Sequence, residues 1–131
     1  MSFVMWLRRV IASLLVSTVF ISCRPLAAEE PPLSPDVQRR VSTVLLARSI
    51  RAYAAMAQAG SNCLVKTGKL GKAQADKALV ISLEELGISP TVLLNPLVQT
   101  VSPRLEVLLL ADCSLDPDQE PEALRLIKDG L

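Results

Sequence analysis

Four times between residues 34 and 103, a side chain suited to capping a helix is followed at once by proline: Ser34-Pro35, Ser89-Pro90, Asn95-Pro96 and Ser102-Pro103. A capping oxygen accepts from one of the N–H groups that a first helical turn leaves unpaired. Proline in the next position has no N–H to leave unpaired, and its φ already suits the turn. A chain punctuated in this way is committed to helices with short connections. The apolar residues agree, because they recur at three- and four-residue spacings and show no sustained two-residue alternation.

The first helix is expected to start at Ser34-Pro35-Asp36, run to about Ala59 and stop at Gly60. Val37, Val41, Val44, Leu45, Ala52, Met56 and Ala59 fall on one broad face of it. From Ala52 to Ala59 that face is mostly alanine, so a neighbouring helix can approach closely. A second helix is expected from about Lys72 to Leu86, with Gly87 as its stop and Ile88 folding back as the apolar contact of the cap. Leu79, Leu83 and Leu86 form its inward stripe, joined by Ala75. Beyond it the proline pairs predict two short helical turns and then a longer helix from Pro103 to about Cys113. Within that helix Val107 to Ala111 is apolar nearly all round, the pattern of a segment buried on more than one side. A last short helix is expected from Pro121 to about Lys128. The fold class is therefore all-α: a small compact bundle of about four main helices, with short proline-initiated helical turns and one disulfide.

That disulfide depends on what happens at the start of the chain. Phe3 to Leu7 with Arg8 and Arg9, an uncharged run from Val10 to Ile21, and small residues after it have the layout of an export signal. The run is twelve residues, shorter than the roughly twenty that span a bilayer as a helix. A cut after Ala28 assigns residues 1–28 to the signal, 29–33 to a polar, proline-rich leader and 34–131 to a single helical domain. No spanning segment is then left in the mature chain. A competing cut lies before Cys23, because Phe20 to Cys23, "FISC", resembles a bacterial lipoprotein signal, in which the cysteine is lipidated and the protein is anchored to the membrane. Either way the protein is exported, to the periplasm or out of the cell. After the Ala28 cut only Cys63 and Cys113 remain, and in an oxidising compartment such a pair reads as one disulfide.

Composition narrows function mainly by exclusion. The chain has 131 residues and no histidine, so the commonest general base and metal ligand is absent. With the cysteines paired there is no thiol nucleophile, and no serine lies in a nucleophile-elbow pattern. The chain reads as a non-enzyme with no catalytic, cofactor or metal residues. "KTGKLGK", Lys66 to Lys72, fails as a phosphate loop: Lys66 stands where the first glycine belongs, and Ala73 where the magnesium-binding hydroxyl belongs. "DPDQEPE", Asp116 to Glu122, fails as a calcium loop, with Pro121 at the turn-glycine position and Ile127 at the closing-Glu position, and reads as a solvated linker. Signal removal takes Arg8, Arg9 and Arg24, leaving eleven cations against thirteen acids. That balance argues against a nucleic-acid partner, which calls for a cationic surplus.

The charges are unevenly spread. Residues 39–77 carry eight cations and one acid, Asp76, whereas residues 84–122 carry eight acids and one cation, Arg104. The halves are electrostatic complements that either face each other within the chain or recruit a partner or a second copy. Arg40, Arg48 and Arg51 are the candidate interaction or ion-pairing residues. Arg48 stands amid the apolar face of the first helix, either snorkelling along the core edge or pairing with an acid of the second half. The functional reading is a noncatalytic, protein-binding module of the cell envelope, its partner another envelope protein or itself. The alternatives are a carrier or sensor of a small apolar ligand, with a pocket among Val107, Leu108 and Leu110, and an acid- or stress-responsive periplasmic chaperone.

Overall fold

A computed structural model describes residues 32–131, and Ser34–Leu131 form one compact unit. The export signal expected at residues 1–28, the alternative lipidation expected at Cys23 and most of the expected leader lie outside the described residues. Four α-helices make up the unit: α1 (Pro35–Lys66), α2 (Lys72–Glu85), α3 (Pro96–Glu106) and α4 (Glu120–Gly130). Short 3-10 turns, Pro90–Leu94 and Pro117–Gln119, precede α3 and α4. No strand occurs among the described residues, where an isolated bridge joins Leu109 to Leu115.

α1 begins where its proline predicts but does not stop at Gly60. It continues to Lys66, and the stop is Gly68, at φ 70°. There the Gly68 N–H donates to the Val65 carbonyl at 3.1 Å and the Lys69 N–H to the Leu64 carbonyl at 2.9 Å. These are the two bonds by which a left-handed residue closes a helix end. Gly60 is carried through because the next turn places Cys63 in the buried interface, and that gain exceeds the roughly 1 kcal/mol disadvantage of a helical glycine. α2 ends as expected. Gly87 takes φ 70°, its N–H donates to Glu84 and that of Ile88 to Leu83, while the Ile88 side chain packs against the core.

The proline punctuation holds at two of the three later pairs. Ser89 accepts from the Thr91 N–H and opens the Pro90–Leu94 turn, and Asn95 accepts from the Leu97 N–H and opens α3. The third pair does not start a helix. Ser102 is buried and Pro103 lies inside α3, which ends at Glu106 rather than near Cys113. Pro103 deletes one intrahelical bond, yet the helix persists because Val98, Val101 and Leu105 lie on its inward face and are wholly or almost wholly buried.

The stretch expected to be a buried helix, Val107 to Ala111, is a loop. Val107 is 80% exposed and Leu110 43%, while Leu108 and Leu109 are partly buried against the core. The loop forms a small hairpin, with Leu110 N–H donating to Ser114, Cys113 N–H to Leu110 and Asp116 N–H to Leu108. Cys113 occupies the left-handed position, φ 67°, that such three-residue loops usually give to glycine. α4 starts one residue before Pro121 and runs past Lys128 to Gly130. The connector before it is a built turn, in which Asp116 accepts from the Asp118 N–H at 3.0 Å.

The core draws on every helix: Ala54, Ala55 and Ala59 from α1, Leu83 from α2, Val98, Val101 and Leu105 from α3, and Ala123 and Leu126 from α4, with Leu131 behind them. Each fully buried leucine or valine contributes about 1.5–3 kcal/mol. The alanines of α1 let α3 lie close, and at the far end Gly130 does the same, since a Cβ there would stand 2.6 Å from Val101 Cγ2.

Candidate interaction surface

α1 is 32 residues long, about 48 Å at 1.5 Å per residue. Its inward stripe can be followed by the helical repeat, because eighteen residues make five turns. Val37, Val41 and Leu45 therefore share angular positions with Ala55, Ala59 and Cys63. The later three are 0%, 0% and 8% exposed, whereas the earlier three are 42%, 44% and 56% exposed. Val44, beside them, is 61% exposed. From Pro35 to Leu46 every residue is exposed, so this part of the helix is a stalk whose apolar stripe extends the core stripe beyond the bundle.

The three arginines singled out by sequence have different situations. Arg40 is exposed beside the stripe. Arg48 is half-buried on the stripe where the stalk meets the bundle, and makes no ion pair among the described residues. Of the two alternatives for Arg48, the ion pair with an acid of the second half is not formed; a long-range link is made instead by Arg51, whose Nε and Nη2 both donate to the main-chain oxygen of Leu131, at 3.1 and 2.5 Å. No sequence pattern marks that contact, because its acceptor is backbone.

At the opposite end of α1 a cluster ties the helix to the hairpin. The Cys63 and Cys113 sulfurs stand at bonding distance, 2.08 Å, with Cα atoms 5.7 Å apart. Lys69 Nζ donates to the Ala111 carbonyl at 3.0 Å, and Lys66 pairs with Glu106, whose side chain is 11% exposed. Lys72 pairs within α2 with Asp76. The lysines of the "KTGKLGK" stretch are therefore engaged by the protein itself. Lys66–Glu106 is also the one ion pair, among the described residues, that crosses between the cationic and acidic halves; the others lie within single helices. Direct pairing across the halves is thus limited to one contact.

Two carboxylates are held below their ordinary pKa. Asp112 accepts from the Ser114 hydroxyl and N–H, and Glu122 from the Arg125 guanidinium. Both are at the surface, and neither adjoins another candidate catalytic group. Among the described residues no group of three or more cysteine or acidic side chains is placed to hold a metal ion, and no helix is long and apolar enough to cross a membrane.

Two open grooves flank α1. One, of about 420 Å³, lies at the stalk base between Leu46, Ile50 and Tyr53 and the α2 cap at Leu86 and Ile88. The other, about 300 Å³, lies between α1 and α2 beside Gly60, Leu64, Ala75 and Leu79. Neither is lined by Val107, Leu108 or Leu110, the residues from which sequence would build a ligand pocket.

No family model matches the chain, and no curated protein or solved structure is significantly similar to it.

Proposed function

We propose that this chain is a noncatalytic, exported helical module of the cell envelope that binds another protein through the stripe of the α1 stalk. The observation that carries the reading is the five-turn identity of Val37, Val41 and Leu45 with Ala55, Ala59 and Cys63. The sequence continues a core pattern over residues that no other described element of the chain covers. Contiguous apolar surface of this kind is characteristic of protein interfaces. A helix stripe with anchors three and four residues apart suits an apolar helix or groove on the partner. The absence of histidine and the dispersal of the remaining polar groups support the noncatalytic reading, and the charged opening followed by an apolar run supports export.

The test is a photo-crosslinking residue placed at Val44 in the native host, with the same residue at Arg39 on the opposite side of the stalk. The reading expects a discrete crosslinked species from position 44 and none from position 39. Equal labelling from both positions, or none from either, overturns it.

A second reading, a carrier of a small apolar ligand, is favoured by one observation: the groove at the stalk base has aliphatic and aromatic walls. Native mass spectrometry of protein taken directly from its host tests it, with a noncovalent adduct lost on Ile50→Asp as the supporting result.

A further inference from the structure

We propose that the segment from Val107 to Gln119 is a strap fastened to the end of α1 by the Cys63–Cys113 disulfide, and that reduction of this bond by a dithiol releases the strap while the four helices stay folded. The proposal is independent of the stalk, which lies at the other end of α1.

The strap joins α3 to α4. Between Leu105 and Ala123, both in the core, no residue is fully buried. Leu108, Leu109 and Leu115 touch the core but keep part of their surface in solvent. The main-chain hydrogen bonds of the strap are internal, as at Leu110, Cys113 and Asp116, or reach back one turn to the end of α3, as at Leu108 and Leu109. None of these joins it to α1 or α2. Two links cross that gap: the disulfide, and the bond from Lys69 Nζ to the Ala111 carbonyl at 3.0 Å. The second is between exposed groups, where water competes for both partners. Thr67 Oγ1, 3.7 Å from Cys113 Sγ, gives its hydrogen to the Cys63 carbonyl at 2.8 Å. A segment with no fully buried side chain and few bonds to its surroundings opens locally, below the free energy of global unfolding.

The backbone supplies a second reason. Cys113 has φ 67°, in the left-handed region that a Cβ disfavours. Such a conformation persists where the surrounding structure imposes it, and the bond to Cys63 fixes residue 113 in place. Without that bond the turn depends on the internal bonds of the hairpin and the partial cover of its leucines.

The two sulfurs differ in access. Cys113 is half-buried, whereas Cys63 is 8% exposed, so an entering thiolate meets Cys113 Sγ first. A new S–S bond forms there, the bond to Cys63 breaks, and Cys63 leaves as a thiolate that is then protonated. The second thiol of the reagent displaces Cys113 from the mixed disulfide. Two electrons and two protons pass from the dithiol to the protein, so the reagent ends as a disulfide and the protein as two thiols. Release uncovers Leu108, Leu109 and Leu115 and the core beneath them. The redox state thereby sets how much apolar surface this end of the bundle presents.

Amide hydrogen exchange of the purified protein, read residue by residue by NMR before and after dithiothreitol, tests the proposal. On reduction the Leu110, Cys113 and Asp116 amides should exchange faster by about tenfold or more, while amides within α2 and α3 remain protected. C63A/C113A should behave like the reduced protein without any reagent. C63A/C113G should recover part of the hairpin protection, because glycine takes that φ freely. K69A with the disulfide intact should stay closed. Unchanged exchange at the three hairpin amides after complete reduction overturns the proposal, because the leucines then hold the strap without the disulfide. Loss of helical protection together with the strap overturns it too, because the bond then holds the whole fold.

Discussion

The two halves of α1 have the same period and the same apolar meridian, yet they differ in side-chain size. From Ala54 to Cys63 the inward residues are small and buried by α2 and α3; from Val37 to Leu45 they are branched and exposed. Small side chains let a helix neighbour approach closely, whereas valine and leucine carry the apolar area that makes burial worthwhile. The difference teaches that the fold is closed at one end of this helix and open at the other. The open end carries the larger apolar groups.

That contrast can be broken most severely at the disulfide. Reducing Cys63–Cys113, which spans a sequence separation of 50, should lower unfolding stability by about 4 kcal/mol on the chain-entropy model. Leu45→Ser, five turns earlier on the same meridian, should change it by no more than about 0.5 kcal/mol. Urea titration followed by circular dichroism measures both. Next in size is overpacking. Ala59→Leu should destabilise by about 1–3 kcal/mol because α3 occupies the space, while Val41→Leu should be neutral by the same assay.

A smaller effect of opposite sign is expected at Gly60. Space is open around a Cβ at that position, and the backbone there is helical. Gly60→Ala should therefore stabilise by about 0.5–1 kcal/mol, whereas the same change at Gly68, at φ 70°, should destabilise. Thermal melts of the two variants give the sign directly. The smallest contrast is in pH. Asp112 and Glu122 have folded pKa values below their ordinary ones, so their contribution is present above the ordinary carboxylate range and is lost as pH falls through the lowered values. Urea midpoints should be level from pH 5 to 7 and decline below about pH 4. The decline should become shallower when Ser114 and Arg125 are replaced by alanine, which removes the bonds that lower the two pKa values.

The helical class and most boundaries were legible because caps act locally. Ser89, Asn95 and Gly87 do what their immediate neighbours dictate, through bonds two to five residues away. Gly60 and the Ser102-Pro103 pair carry the same local signs but are overruled by burial one turn further on, at Cys63 and Leu105. The three- and four-residue spacing of Val98, Val101 and Leu105 runs straight through Pro103 and was the available hint. Val107 to Leu110 misled for a related reason: composition marks a segment as apolar but does not say whether enough chain remains to cover it. The stalk was hidden by the same gap. Its stripe reads as core in sequence, and only the placement of α2 and α3 reveals that no described element of the chain lies over it. The Arg51 contact to the Leu131 main-chain oxygen was beyond sequence reasoning altogether, since backbone acceptors leave no pattern.

Hydrogen exchange tests the division of α1 most directly, comparing amides of residues 37–46 with those of residues 54–63 in dilute solution. Slow exchange at residues 54–63 is expected, with residues 37–46 fast. Stalk amides as slow as the core in dilute solution would mean that the chain covers its own stripe, and would contradict the account.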